Sequence, residues 1–108
     1  MSKYLLTATY SADGIKDLLA EGGTARTEQA YVLVKSLGGK IESLYYAFGE
    51  SDLYAILDFP DVASALAAAG TVSSSGKVSA KLTPLISVED MDAASLKAKS
   101  AEYRAPGA

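Results

Sequence analysis

The clearest alternation of apolar and polar residues lies at the start of the chain. From Lys3 to Ser11 (KYLLTATYS), Tyr4, Leu6, Ala8 and Tyr10 fall on one side and Leu5, Thr7 and Thr9 on the other. A two-residue period of this kind, rich in Tyr, Leu and Thr, predicts a strand. The pattern then changes. Ser11-Ala12-Asp13-Gly14 reads as a turn, and Ile15, Leu18 and Leu19 follow at helical spacing. Gly22-Gly23 interrupts that helix, and Thr24 is placed to cap a second one. Ala30, Leu33, Val34 and Leu37 form its apolar stripe, down to Gly38-Gly39.

Lys40 to Phe48 and Asp52 to Phe59 read as two strands joined by a tight polar turn containing Gly49, stopped by Pro60. In the first of the pair, Leu44, Tyr46 and Phe48 oppose Ile41, Ser43, Tyr45 and Ala47. In the second, Leu53, Ala55, Leu57 and Phe59 oppose Asp52, Tyr54, Ile56 and Asp58. Pro60-Asp61 opens an alanine-rich helix with Val62, Leu66 and Ala69 on its stripe. Ser73 to Gly76 is a loop, and Lys77 to Ile86 is a fourth strand whose Pro84 suits an edge position. Ser87 with Glu89 and Asp90 marks the start of a last helix, running to about Ser100, before an irregular tail.

The order β-α-β-β-α-β with a further C-terminal helix predicts a ferredoxin-like α+β sandwich, both main helices lying on one face of an antiparallel sheet. Residues 1–86 form the sandwich, and 87–108 are a helix and tail belonging to the same domain. One sheet face is continuously apolar. The other still carries tyrosine and aliphatic side chains, more than an exposed antiparallel face normally does. A homodimer with two sheets face to face is the simplest expectation, with the segment from Ser87 onward wrapping a neighbour.

Composition narrows the chemistry. The 108 residues suffice for one domain, and 49% apolar with 21% charged residues is ordinary for a soluble globular chain. Net charge is −3, and the ten Lys and Arg are scattered, which argues against nucleic acid as partner. Cysteine and histidine are both missing. That excludes disulfides, thiolate nucleophiles, zinc–thiolate centres and histidine-dependent triads or metal sites. No spacing of Asp and Glu suggests a metal loop, and no cofactor motif is present. No apolar run reaches the roughly 20 residues of a membrane helix. A bacterial-type cytoplasmic protein is the expectation.

The order and spacing of several segments resemble one family across essentially the whole chain. These are Tyr4-Leu5-Leu6 with Tyr10 and Gly14, Glu21-Gly22-Gly23-Thr24-Ala25-Arg26, and Gly38-Gly39-Lys40. They continue with Tyr46-Ala47-Phe48-Gly49 leading to Asp52, then Thr83-Pro84-Leu85, and Tyr103-Arg104-Ala105-Pro106-Gly107. Together they are similar to the GYD domain family, bacterial proteins related in fold to the dimeric α+β barrels. The resemblance implies that fold and an oligomer, and brings no established activity. At the glycine-tyrosine-aspartate motif for which the family is named, Gly49 and Asp52 fit, and Ser51 stands at the tyrosine position. Any chemical role of that tyrosine is lost here unless Tyr54 or Tyr46 takes it over.

Four residues are candidates for a site. Arg26, just after a glycine break at a helix start, suits an anion or carboxylate, or pairs structurally with Asp52 or Glu50. Asp52 suits a general base or an orienting partner for Arg26, and equally the local backbone bonding of a turn. Tyr46 and Tyr54 belong with Tyr4, Tyr10 and Tyr45 to a tyrosine-rich sheet that suits a small-molecule pocket or a subunit interface. The leading expectation is a small organic ligand held between sheet and helices near Arg26, Tyr46, Asp52 and Tyr54. The alternatives are a cofactor-independent enzyme acting on a small carbonyl or aromatic compound, and a purely structural oligomer subunit.

Overall fold

A computed structural model of the chain describes residues 2–108. Its elements run β1 (Ser2–Tyr10), α1 (Ala12–Glu21), α2 (Gly23–Ser36), β2 (Lys40–Tyr46), β3 (Leu53–Phe59), α3 (Val62–Ser74), β4 (Val78–Leu85) and α4 (Val88–Ala98). The four strands form one sheet in the order β2-β3-β1-β4, antiparallel throughout. This is the ferredoxin-like α+β architecture. β4 is an edge strand, so Pro84 is tolerated where it lies.

β1 is the spine of the sheet. Leu6 pairs with Ala55 on one side and Leu82 on the other, so one pleat face is continuous across three strands. Tyr4, Leu6, Ala8, Leu53, Ala55, Leu57 and Phe59 are buried on it, with Val34 of α2 and Ala65, Ala68 and Ala69 of α3 above them. The Tyr4 and Phe59 rings meet edge to face, with centroids 6.4 Å apart. α2 packs over β2 and α3 chiefly over β4. The two helices therefore lean on opposite edges of the sheet.

Local chemistry sets the helix boundaries. Ser11 and Asp61 cap α1 and α3, their side-chain oxygens accepting from the N–H of Gly14 at 3.1 Å and Ser64 at 2.7 Å. Ser87 caps α4 in the same way through Asp90 N–H at 3.0 Å. Gly22 has φ of +89°, a backbone conformation that favours glycine, and it ends α1 and begins α2. The cap of α2 is thus Gly22, and Thr24 lies inside the helix.

Several expectations change at this level. β2 ends at Tyr46, and Phe48 is 99% exposed in a connection that spans residues 47–52 rather than a tight turn. A register shift between Ile41 and Ser43 accommodates an extra residue. This bulge turns Ile41, opposite Leu57, onto the same face as Leu44, opposite Ala55; strict alternation placed them apart. α3 presents its alanines to the sheet and leaves Val62 and Leu66 exposed, because small side chains allow the closer approach. Asp58 is the one buried charged residue on the open sheet face among the described residues. Lys3 Nζ lies 3.4 Å from its Oδ2 and 2.6 Å from Glu42 Oε1.

α4 buries none of its residues. Val88, Met91 and Leu96 are 74, 61 and 68% exposed, and Tyr103 beyond them is also exposed. The radius of gyration is 17.5 Å, against about 13 Å for a compact domain of this length. The C-terminal segment therefore projects from the sandwich as an arm.

Gly14 is the tightest backbone contact of the fold. A Cβ there would stand 2.2 Å from the carbonyl oxygen of Lys77, which itself accepts from Ser11 N–H at 2.8 Å. Gly14→Ala must push α1 away from the end of β4, at a cost of about 1–3 kcal/mol. Gly49→Ala, with open space at its Cβ, changes stability by less than about 0.5 kcal/mol. Urea unfolding of the two variants checks the contrast.

Candidate functional site

Because α2 and α3 settle toward opposite edges of the sheet, a cleft of about 130 Å³ opens between them above its middle. Its floor is Leu6, Ala8, Leu53, Ala55 and Leu57, with Leu44 and Ile41 toward β2. One wall is a single face of α2: Arg26, Gln29, Ala30, Leu33 and Val34, at the three- and four-residue spacings that share a helix side. The other wall is Ala68 and Val72 of α3 with Val78 of β4.

The deep residues are apolar, and polar side chains lie at the rim. These are Tyr10 at the end of β1, Tyr46 at the end of β2, and Arg26 and Gln29 on α2. The Tyr46 hydroxyl is 3.0 Å from Thr27 Oγ1 and donates to the Gly23 carbonyl at 3.4 Å. It ties the edge strand to the first turns of α2 and so fixes Arg26 relative to the sheet. Arg26 itself faces no expected partner. The one carboxylate within ion-pair distance of it among the described residues is Glu21, with 3.9 Å between Nη1 and Oε1. That separation is too long for a hydrogen bond, and the guanidinium makes none among the described residues.

Two of the four candidates, Arg26 and Tyr46, line the cleft. Asp52 stands beside it with a different task. Its Oδ2 accepts from Tyr10 N–H at 2.8 Å, its own N–H donates to the Ala8 carbonyl at 2.8 Å, and its carbonyl accepts from Ala47 N–H at 2.7 Å. It latches the 47–52 connection onto the end of β1. Tyr54 is the correction to the grouping. Its register opposite Thr7 and Tyr45 puts it on the other face of the sheet, across the backbone from the cleft. Alternation in β3 already separated Tyr54 from Leu53 and Ala55, so the two-residue period carried this information.

Two rim residues were not among the candidates. Tyr10 continues the Tyr4-Leu6-Ala8 face, and that alternation was its signal. Gln29 follows Arg26 by three residues on the stripe that Ala30 and Leu33 define, and that spacing was its signal. Burial pushes the Tyr10 hydroxyl above the ordinary phenol value; nearby Tyr46 and Asp52 add to the shift and Arg26 opposes it. No group of three or more Asp and Glu side chains among the described residues is arranged to hold a metal ion, and no helix among them is long and apolar enough to cross a membrane.

The fold and the cleft define a small α+β sandwich with a largely apolar opening on its helical side. The profile of the GYD domain matches residues 4–95, and the chain belongs to the GYD domain family. No curated protein and no solved structure matches it in the same comparisons.

The Tyr10 shift has a definite sign. Its folded pKa is raised above the unfolded value of about 10, so its contribution to stability is complete below that pH and is lost as pH rises through the folded value. Urea midpoints measured from neutral to strongly alkaline pH should fall less steeply above about pH 10 in Tyr10→Phe than in the parent chain. Absorbance titration of the phenolates should lose its latest-ionising component in the same variant.

Proposed function

We propose that this chain binds a small organic molecule in the cleft between α2, α3 and the sheet. The observation that carries the reading is an opening in the helix-covered core with apolar walls and a polar rim, the usual anatomy of a small-molecule site. A purely structural subunit is expected to fill that space with side chains. A catalytic reading is less well supported. Asp52 is committed to the Tyr10 backbone, and among the described residues no carboxylate lines the cleft. Histidine, the commonest general base near neutral pH, is not in the chain.

The test uses benzyl alcohol as a neutral probe and amide NMR shifts as the readout. The expected shifts concentrate at Arg26, Ala30, Val34, Ala55 and Ala68. Ala30→Leu, which places a larger side chain in the cleft wall, should weaken the probe at least tenfold while the fold is kept. Shifts confined to the open sheet face, or the same affinity in Ala30→Leu, would reject the cleft as the site.

We further infer that copies of the chain associate in a cytoplasmic setting, to which a cysteine-free sequence is suited. The open sheet face carries Leu5, Ile56, Tyr45 and Tyr54, and the projecting arm carries Val88, Met91, Leu96 and Tyr103 without cover of its own. Apolar surface in two places on one small chain, one of them on a projecting arm, fits exchange of arms between copies. Light scattering should give a dimer or larger for the full chain and a smaller particle for a chain ended after Ile86. A full-length monomer at micromolar concentration, or an unchanged particle after truncation, would overturn this.

A further inference from the structure

Resting on the cleft as a ligand site, we propose that its ligand is a small hydrophobic monocarboxylate, its apolar body between α2 and α3 and its carboxylate held by Arg26. Two independent features of the cleft set these two halves of the ligand.

Volume and lining set the body. About 130 Å³ is close to the roughly 150 Å³ of an engineered apolar cavity that accepts benzene. The floor and deep walls are Leu, Val and Ala side chains, with buried Leu6, Ala8, Ala55 and Leu57 beneath. Such a surface gives no polar partner to the ligand's interior portion, so a polar body would lose its water without replacement. A single aromatic ring or a short branched chain fits; a nucleotide or a sugar does not.

Charge and hydrogen-bonding capacity set the head. Arg26 is the one formally charged side chain in the lining. Its planar fork of donors matches a carboxylate with two parallel hydrogen bonds, which makes it a better partner for this group than for a neutral carbonyl. The guanidinium is not satisfied within the chain, since Glu21 stands at 3.9 Å and no hydrogen bond is made to it among the described residues. Beside it, the Tyr10 hydroxyl and the Gln29 side-chain amide are also free of hydrogen bonds among the described residues, and both can donate. Burial keeps the Tyr10 phenol protonated well past neutral pH, so it remains a donor there. Three donors at the rim, one positive charge and no lining carboxylate favour one negative charge at that end. Arg26 can serve without loss of the fold, because its side chain is partly exposed and its ion pair is long.

The experiment compares benzoate with benzyl alcohol, two probes of the same ring and nearly the same size, by calorimetry or amide NMR on the full chain. Benzoate is expected to bind at least tenfold more tightly. Arg26→Gln should reduce that preference to twofold or less, chiefly by weakening benzoate. Arg26→Lys should restore part of it, since the charge returns without the fork. Equal affinity of both probes in the parent chain would overturn the carboxylate assignment and leave the cleft standing as a neutral-ligand site. A preference that survives Arg26→Gln would overturn the role of Arg26. Phenyl phosphate binding more tightly than benzoate would replace the carboxylate with a phosphate ester. Failure of every probe to perturb the cleft residues would remove the ligand site itself.

Discussion

Everything in this structure turns on how two helices cover a four-stranded face. α2 settles over β2 and α3 over β4, each against an edge of the sheet. The strands between them, β1 and β3, present the buried Ala8 and Ala55 on the floor of the cleft. Small residues there, and Ala65, Ala68 and Ala69 on α3, permit close backbone approach but supply little volume. Close packing is the rule in protein interiors, so a gap with Ala8, Ala30, Ala55 and Ala68 among its lining residues follows in part from the small side chains at those positions. Leucine at Ala8 or Ala55 would be the obvious means of closing it.

The rim of the gap is positioned by hydrogen bonds that run between elements distant in sequence. Asp52 clasps the end of β1 and sets where Tyr10 stands. Tyr46 clasps the first turns of α2 through Thr27 and Gly23 and sets where Arg26 stands. Two polar side chains near one hairpin thus register a helix and a strand against each other. Gly22 completes the arrangement. Its positive φ lets the chain break between α1 and α2 and turn Arg26 toward the sheet rather than along the axis of α1.

The strands, their order and the helical side of the sheet were legible in the sequence, because period-two alternation in β1 and β3 is strict and glycine and proline punctuate it. The bulge at residue 42 was not. Glu42 looks like any polar strand residue, and only the register against β3 shows that it is the extra one, which moves Ile41 to the core side. Thr24 outranked Gly22 as a cap on residue type alone, whereas backbone conformation decided the matter. The site was legible in part. Arg26 stands out beside a glycine break and Tyr46 as one of several sheet tyrosines, and both reach the cleft. Tyr54 stood out equally but lies across the sheet, and its own strand's alternation was the better guide. Asp52 had the right neighbourhood and a structural duty, since aspartate at the mouth of a hairpin bonds to backbone more readily than to anything else.

The two margins of the sheet have a consequence for how this protein can grow. Unpaired strand edges are templates on which other chains add, and unchecked addition ends in fibres. Here β4 carries Pro84, which lacks an N–H to offer, and β2 carries the bulge, which breaks the even spacing a new strand needs. Both growth directions along the sheet are therefore blunted at their source. Any contact between molecules is thereby steered away from the sheet margins, and from the endless ribbon that a flat, regular edge would permit.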